Sequence, residues 1–268
     1  MPPAFSYNIA VKNTNQRNRI WLEILVVLLL LAVFIAPRAS DLDRFLTIDE
    51  GLWMYHSSQF YYAIGQREFE NTFQRFHPGV TMMWSGMLGF IAEYPEFRGI
   101  GQGYLDSGIK LGEFLLEQGE SPLDILAAGR AFVVAQNALV FLIAYWAARK
   151  LLPFSITAAA FAILSLEPFF VSLTQILQMD GLMASYMFAS ILALLAFLYG
   201  GDEGRPVWRR GAWLWVSGAL AGAAVLTKAP AVFLLPYTGL MLTIRLIEQR
   251  DFSFRAILRQ IVAPGLVW

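Results

Sequence analysis

The side chains able to do chemistry are few and scattered. Cysteine is absent and only two histidines occur, His56 and His77. Thiol catalysis and disulfides are therefore excluded, and a histidine-rich metal site has little to build on. What remains is an adjacent acid pair, Asp49-Glu50, with His77, Arg130, Asp180 and Lys228 far along the chain. A carboxylate beside an acceptor hydroxyl can serve as general base or stabilise a transition state. Two cations facing the same point can clamp a phosphate or diphosphate. Each residue also has a plainer reading. Asp49-Glu50 follows Thr47-Ile48 and opens an aromatic helix, where Thr47 or Asp49 can cap free N–H groups and acids suit the dipole. Asp180 also stands where a cap belongs. Arg130 and Lys228 can snorkel to lipid phosphates. His77 precedes Pro78, a helix-start position, and as a lone histidine it reads as a hydrogen-bonding partner.

These residues must be positioned by membrane helices. Of the 268 residues, 57% are hydrophobic and 15% charged, and mean hydropathy is +0.53. Soluble domains carry about 25% charged residues, so lipid is the expected solvent. With 20 basic and 20 acidic residues there is no basic excess, which sets nucleic acid aside. The apolar runs predict spans at Trp21–Ala36, Ala131–Ala148, Phe154–Leu166 (running on past Glu167-Pro168 to Leu177), Leu182–Tyr199, Ala212–Leu226 and Ala231–Ile244. Ile261–Trp268 reads as the start of a seventh and is expected to pack poorly, as in a fragment of a longer protein. Residues 1–19 form a basic tail and 20–268 the transmembrane domain, with an outer loop over 37–129.

Lys and Arg in the short loops set the orientation. Lys12, Arg17 and Arg19 place the N-terminus in the cytoplasm. Arg149-Lys150, the arginines of Gly200–Arg210 and those of Arg245–Arg259 then fall on the same side. Asp49, Glu50, His77, Arg130, Asp180 and Lys228 all reach the opposite, outer face. Within the outer loop, an aromatic run over Leu52–Ile64, an apolar stretch Val80–Ala92 too short to span, and Ile109–Glu117 predict interfacial or re-entrant helices.

The ordered set Asp49-Glu50-Gly51, His77-Pro78 with Trp84, Gly129-Arg130, Gln178-Met179-Asp180-Gly181 and Leu226-Thr227-Lys228-Ala229-Pro230 resembles the GT-C glycosyltransferases. The similarity is to the N-terminal part of the bacterial branch related to protein O-mannosyltransferases and lipid A aminoarabinose transferases, the glycosyltransferase family 39 type, and covers about Trp21–Leu235. The resemblance implies an all-α polytopic membrane protein, a GT-C-type helical bundle with interfacial helices in its first outer loop. It implies an integral protein of the bacterial plasma membrane that moves a sugar, with inversion, from a polyprenyl-phosphate donor to a protein, lipid or glycan acceptor outside the cytoplasm. Carried over, Asp49 is the base, Glu50 orients it or the acceptor, Arg130 and Lys228 hold the donor phosphate, and His77 and Asp180 line the site. A divalent metal is left open as cofactor, with Asp180 its candidate ligand. Two departures stand out: Gly79 occupies the place of a second proline, and the arginine common before the Asp180 position is absent. The competing readings are a transporter or flippase of an anionic lipid or metabolite, and a non-catalytic subunit or inactive fragment.

Overall fold

A computed structural model describes the backbone of residues 4–75, 77–201 and 207–268, and side chains from residue 20 onward except 76 and 202–210. The tail expected over 1–19 and the basic loop expected at Gly200–Arg210 therefore fall largely outside the described side chains. The architecture is all-α: α1 (Ala4–Ala39), α2 (Ile48–Gln66), α3 (Val80–Glu93), α4 (Gly108–Glu117), α5 (Pro122–Ala148), α6 (Phe154–Leu166), α7 (Pro168–Gln175), α8 (Met179–Tyr199), α9 (Val207–Thr227), α10 (Leu234–Gln249), and two short C-terminal helices, α11 (Phe254–Ile257) and α12 (Ala263–Val267).

Among the described residues four segments are long and apolar enough to cross a membrane: Ile20–Ala39, Pro122–Ala148, Met179–Tyr199 and Ala229–Gln249. The bent pair α6–α7 makes a fifth if counted as one span, and the apolar part of α9, Gly211–Thr227, is shorter. α5 is an exception to the expected boundaries, beginning nine residues earlier than the apolar run, at Pro122. Ser121 caps it by accepting from the Asp124 N–H at 3.3 Å, and Pro122 suits the first turn because its missing N–H would have no partner there. Arg130 is thus about 12 Å inside the helix rather than at its mouth.

The expected continuous helix Phe154–Leu177 is instead broken by 64° at Glu167. Pro168 cannot donate to the preceding turn. The Glu167 carboxylate accepts from the N–H groups of Phe169 (3.1 Å) and Phe170 (2.5 Å), which starts α7 as a separate helix. The C-terminal segment is packed only in part, with Val262, Ala263, Gly265 and Leu266 exposed. Trp268 donates its indole N–H to Ser217 Oγ at 2.7 Å, and its backbone lies against Gly218, although Leu266 is 83% exposed.

α8 packs along α9 and α5, and α1 packs on α6 and α5. Phe34, Phe141, Tyr145 and Phe161 fill the space between α1, α5 and α6. The helices between α1 and α5 form their own layer. Trp53, Phe60, Met82, Met83, Phe90, Phe97, Leu111 and Leu115 bury together against Ile125, Leu126 and Leu182. α3 is about 21 Å long, too short to span, and lies along α5. Gly89 permits this approach: a Cβ there would meet the Gly129 nitrogen at 2.7 Å and the Ile125 oxygen at 2.8 Å. At the far end of the bundle Arg149 reaches Glu23 at 2.7 Å and ties α5 to α1.

Candidate active site

Asp49 and Glu50 are neighbours in sequence with opposite environments. Successive helical residues point about 100° apart, so one faces the bundle and the other does not. Glu50 is fully buried, and Asp49 is exposed and makes no side-chain hydrogen bond or ion pair among the described residues. The Glu50 carboxylate accepts from Arg130 Nε at 2.6 Å, Arg130 Nη2 at 2.5 Å, the Leu177 N–H at 2.8 Å and the Thr47 N–H at 3.0 Å. That last bond closes the first turn of α2 from Glu50, in the manner of a capping box between Thr47 and Glu50. Burial pushes the Glu50 carboxyl up, but the bond from Arg130 and those from Leu177 and Thr47 outweigh it and hold the group below the usual carboxylate range.

Arg130 is 4% exposed. Besides Glu50, it donates to the carbonyls of Leu42 and of Phe45, the latter at 2.5 Å. Four of its five N–H donors are therefore engaged by protein. It fastens the loop between α1 and α2 and holds it over α5. A cleft of about 260 Å³ runs beside it, between the end of α1, this loop and α7, lined by Ser40, Arg44, Phe45, Arg130, Gln175 and Ile176 among others.

Glu50 also leads to the other two charges. The Leu177 N–H it binds belongs to the extended linker Ile176–Gln178, which opens α8. Two residues on, Asp180 accepts from Lys228 Nζ at 2.6 Å and from Gln178 Nε2 at 3.2 Å. This pair is partly open, with side chains 23% (Lys228) and 38% (Asp180) exposed. Lys228 sits where α9 ends, in an extended conformation before the tight turn Ala229–Phe233.

The 77–79 turn joins the same end of the bundle. Gly79 N–H donates to Thr227 O at 3.1 Å, and the Thr81 and Thr227 hydroxyls are 2.6 Å apart. Gly79 has φ of +58°, which proline cannot adopt, and a Cβ there would lie 2.1 Å from the Trp53 ring. Glycine in the place of a second proline thus matches a turn that Trp53 fills. His77 itself is exposed.

All six sequence candidates therefore lie at one end of the bundle. Glu50 with Arg130, and Asp180 with Lys228, are in direct contact; Asp49 and His77 are open. Two contributors were not singled out from sequence, Leu177 and Thr227. Both contribute backbone groups, which carry no residue-type signal.

Among the described residues no three His, Asp or Glu side chains cluster as a metal would require. Asp180 has its oxygens turned to an ammonium and an amide, so these residues do not fit a divalent ion as they stand. A family model described as dolichyl-phosphate-mannose-protein mannosyltransferase matches residues 125–262. No curated protein matches the chain. The matched region contains Arg130, Asp180 and Lys228; Asp49, Glu50 and His77 lie outside it.

Proposed function

We propose, from the premise that the chain belongs to the dolichyl-phosphate-mannose-protein mannosyltransferase family, that Asp49 is the general base of sugar transfer from a polyprenyl-phosphate donor on the non-cytoplasmic face of the membrane. Membership in that family makes the chain a membrane glycosyltransferase using a polyprenyl-phosphate sugar. The observation that carries the finer reading is the contrast within the acid pair. Glu50 is locked by Arg130 and two backbone N–H groups, whereas the carboxylate beside it is open and unpaired.

In this reading Asp49 takes the proton from the acceptor hydroxyl as its oxygen attacks the anomeric carbon. The bond from that carbon to the phosphate oxygen breaks with inversion. The leaving phosphate needs no acid, because it departs as a stable anion. Lys228 stabilises the charge that builds on it: one of its three N–H donors holds Asp180 and two remain to face the phosphate. Arg130 has four of its five donors engaged by protein, so its main part is to hold Glu50 and the 42–45 loop, and through them the pitch of α2 that presents Asp49. His77 and Asp180 border the site.

The test uses the full-length protein in liposomes with polyprenyl-phosphate mannose carrying labelled mannose, counting label transferred to a membrane-extract acceptor pool. Asp49→Asn should lower the rate by about 10²–10⁴-fold with expression intact. Wild-type rates in both Asp49→Asn and Asp49→Ala would remove Asp49 from the mechanism. Label crossing the bilayer with no covalent product would favour a flippase.

A further inference from the structure

Arg38 is the largest fully buried side chain with no part in the chemistry above. It lies in the last turn of α1, within a segment apolar enough to span. No carboxylate pairs with it among the described residues. A buried guanidinium without an anion is costly, so its remaining contacts should show what it does. Nε donates to Thr174 Oγ1 at 2.7 Å, and Nη1 donates to Ser165 O at 2.9 Å and Phe34 O at 2.7 Å. The guanidinium lies 3.7 Å from the Phe34 ring centroid and 5.2 Å from that of Phe170.

These contacts straddle the 64° break. Ser165 is in the last turn of α6, whose carbonyls lose their helical partners because the chain turns at Glu167 and Pro168 has no N–H. Thr174 and Phe170 are in α7. One side chain from α1 thus satisfies an orphan carbonyl of α6 and grips α7 beyond the bend. α7 has only eight residues and ends at Gln175. The next residues are the linker whose Leu177 N–H binds Glu50 and which leads into Asp180 and its partner Lys228.

We infer that Arg38 is a positioning residue for the candidate active site. It fixes the pitch of α7 and thereby the 176–178 linker between the Asp49-Glu50 turn and the Asp180–Lys228 pair. The cation supplies directional hydrogen bonds through Nε and Nη1 rather than charge pairing, while Nη2 is buried without a partner among the described residues. This inference rests on the glycosyltransferase reading for its kinetic consequence, but not for its structural one.

The test pairs Arg38→Lys, which keeps the charge but not the fork of donors, with Thr174→Val, which keeps the shape and removes one acceptor. Both are made in the full-length protein and reconstituted. Amide exchange in peptides covering 168–178 and 40–50 should rise in both variants, while α8 beyond residue 182 stays as in wild type. With polyprenyl-phosphate mannose, kcat should fall about tenfold while the donor KM stays within about twofold, as misplacement of catalytic groups predicts. Unchanged exchange in 168–178 and 40–50, or a KM change at constant kcat, would overturn the inference. If wild type transfers no sugar, the functional reading fails, and the exchange data still decide whether Arg38 holds the linker.

Discussion

Replacing Glu50 and Asp49 one at a time should separate stability from catalysis at adjacent positions. Glu50→Gln keeps the shape but turns an amide N–H₂ toward donors that previously met a carboxylate. Whichever way the amide points, it cannot accept all four bonds now made by Arg130 Nε, Arg130 Nη2, Leu177 N–H and Thr47 N–H. It also leaves Arg130 without its anion at 4% exposure, where solvent cannot compensate. Breaking one side of a fully buried pair costs about 3–5 kcal/mol. For a chain of this size that lowers the melting temperature by on the order of 10 °C. Asp49→Asn removes an exposed, unpaired carboxylate and should shift stability by less than about 0.5 kcal/mol. The measurement is thermal unfolding of each purified variant in one detergent, followed by tryptophan fluorescence, alongside the transfer assay. Acid titration adds a check with a definite sign. The Glu50 carboxyl sits below its ordinary value of 4.5 in the folded state. Its stabilisation is therefore complete above pH 4.5 and is lost as pH falls from there through the lowered folded value. Wild type should show that loss and Glu50→Gln should not. A Glu50→Gln penalty under about 1 kcal/mol would refute the reasoning, and so would an Asp49→Asn penalty equal to that of Glu50→Gln.

The other sites give contrasting outcomes. Lys228→Gln should reduce transfer by at least about tenfold yet cost no more than about 1 kcal/mol, because the Asp180 pair is partly open; a large melting shift with normal kcat would make the pair purely structural. Gly79→Ala should destabilise the fold by about 1–3 kcal/mol, since a Cβ would enter the Trp53 ring at a positive φ; Trp53→Ala in the same chain should recover part of the loss, and additive losses would refute the contact. His56 is buried, and neither ring nitrogen has a well-formed hydrogen bond among the described residues; burial first, and the charge of Arg75 with it, lowers its pKa against a weaker opposing pull from the Gln74 side chain. Its contribution is then present above pH 6.5 and lost as pH falls through the lowered folded value. His56→Phe should flatten the pH dependence of melting between 6.5 and 5, and an unchanged slope would show that His56 does not titrate on unfolding.

Sequence periodicity read the helices that bury one face or meet lipid all round. Val80–Ala92 and Ile109–Glu117 lie within one residue of α3 and α4. It overran at Glu167-Pro168 because the apolar run continues through the bend, and hydropathy does not register an orphan carbonyl. It began α5 late because Leu123–Ala128 includes Asp124 and reads as loop, although Ser121 and Pro122 together form a helix start. The same limit explains the site. Residue types suggested that acids and cations share one end, but not which acid meets which cation, since that depends on backbone donors such as Leu177 that any residue type supplies. One part was available from the outset. Adjacent positions on a helix cannot face the same way, so Asp49 and Glu50 were never interchangeable as base and orienting group. With Arg130 inside α5, Glu50 pairs with it and is shielded, and Asp49 stays exposed, as the proposed base must. A buried pair next to an open carboxylate is a stable way to aim that carboxylate, because the partner that fixes the helix already accepts four bonds, two from Arg130 and one each from the Leu177 and Thr47 N–H groups.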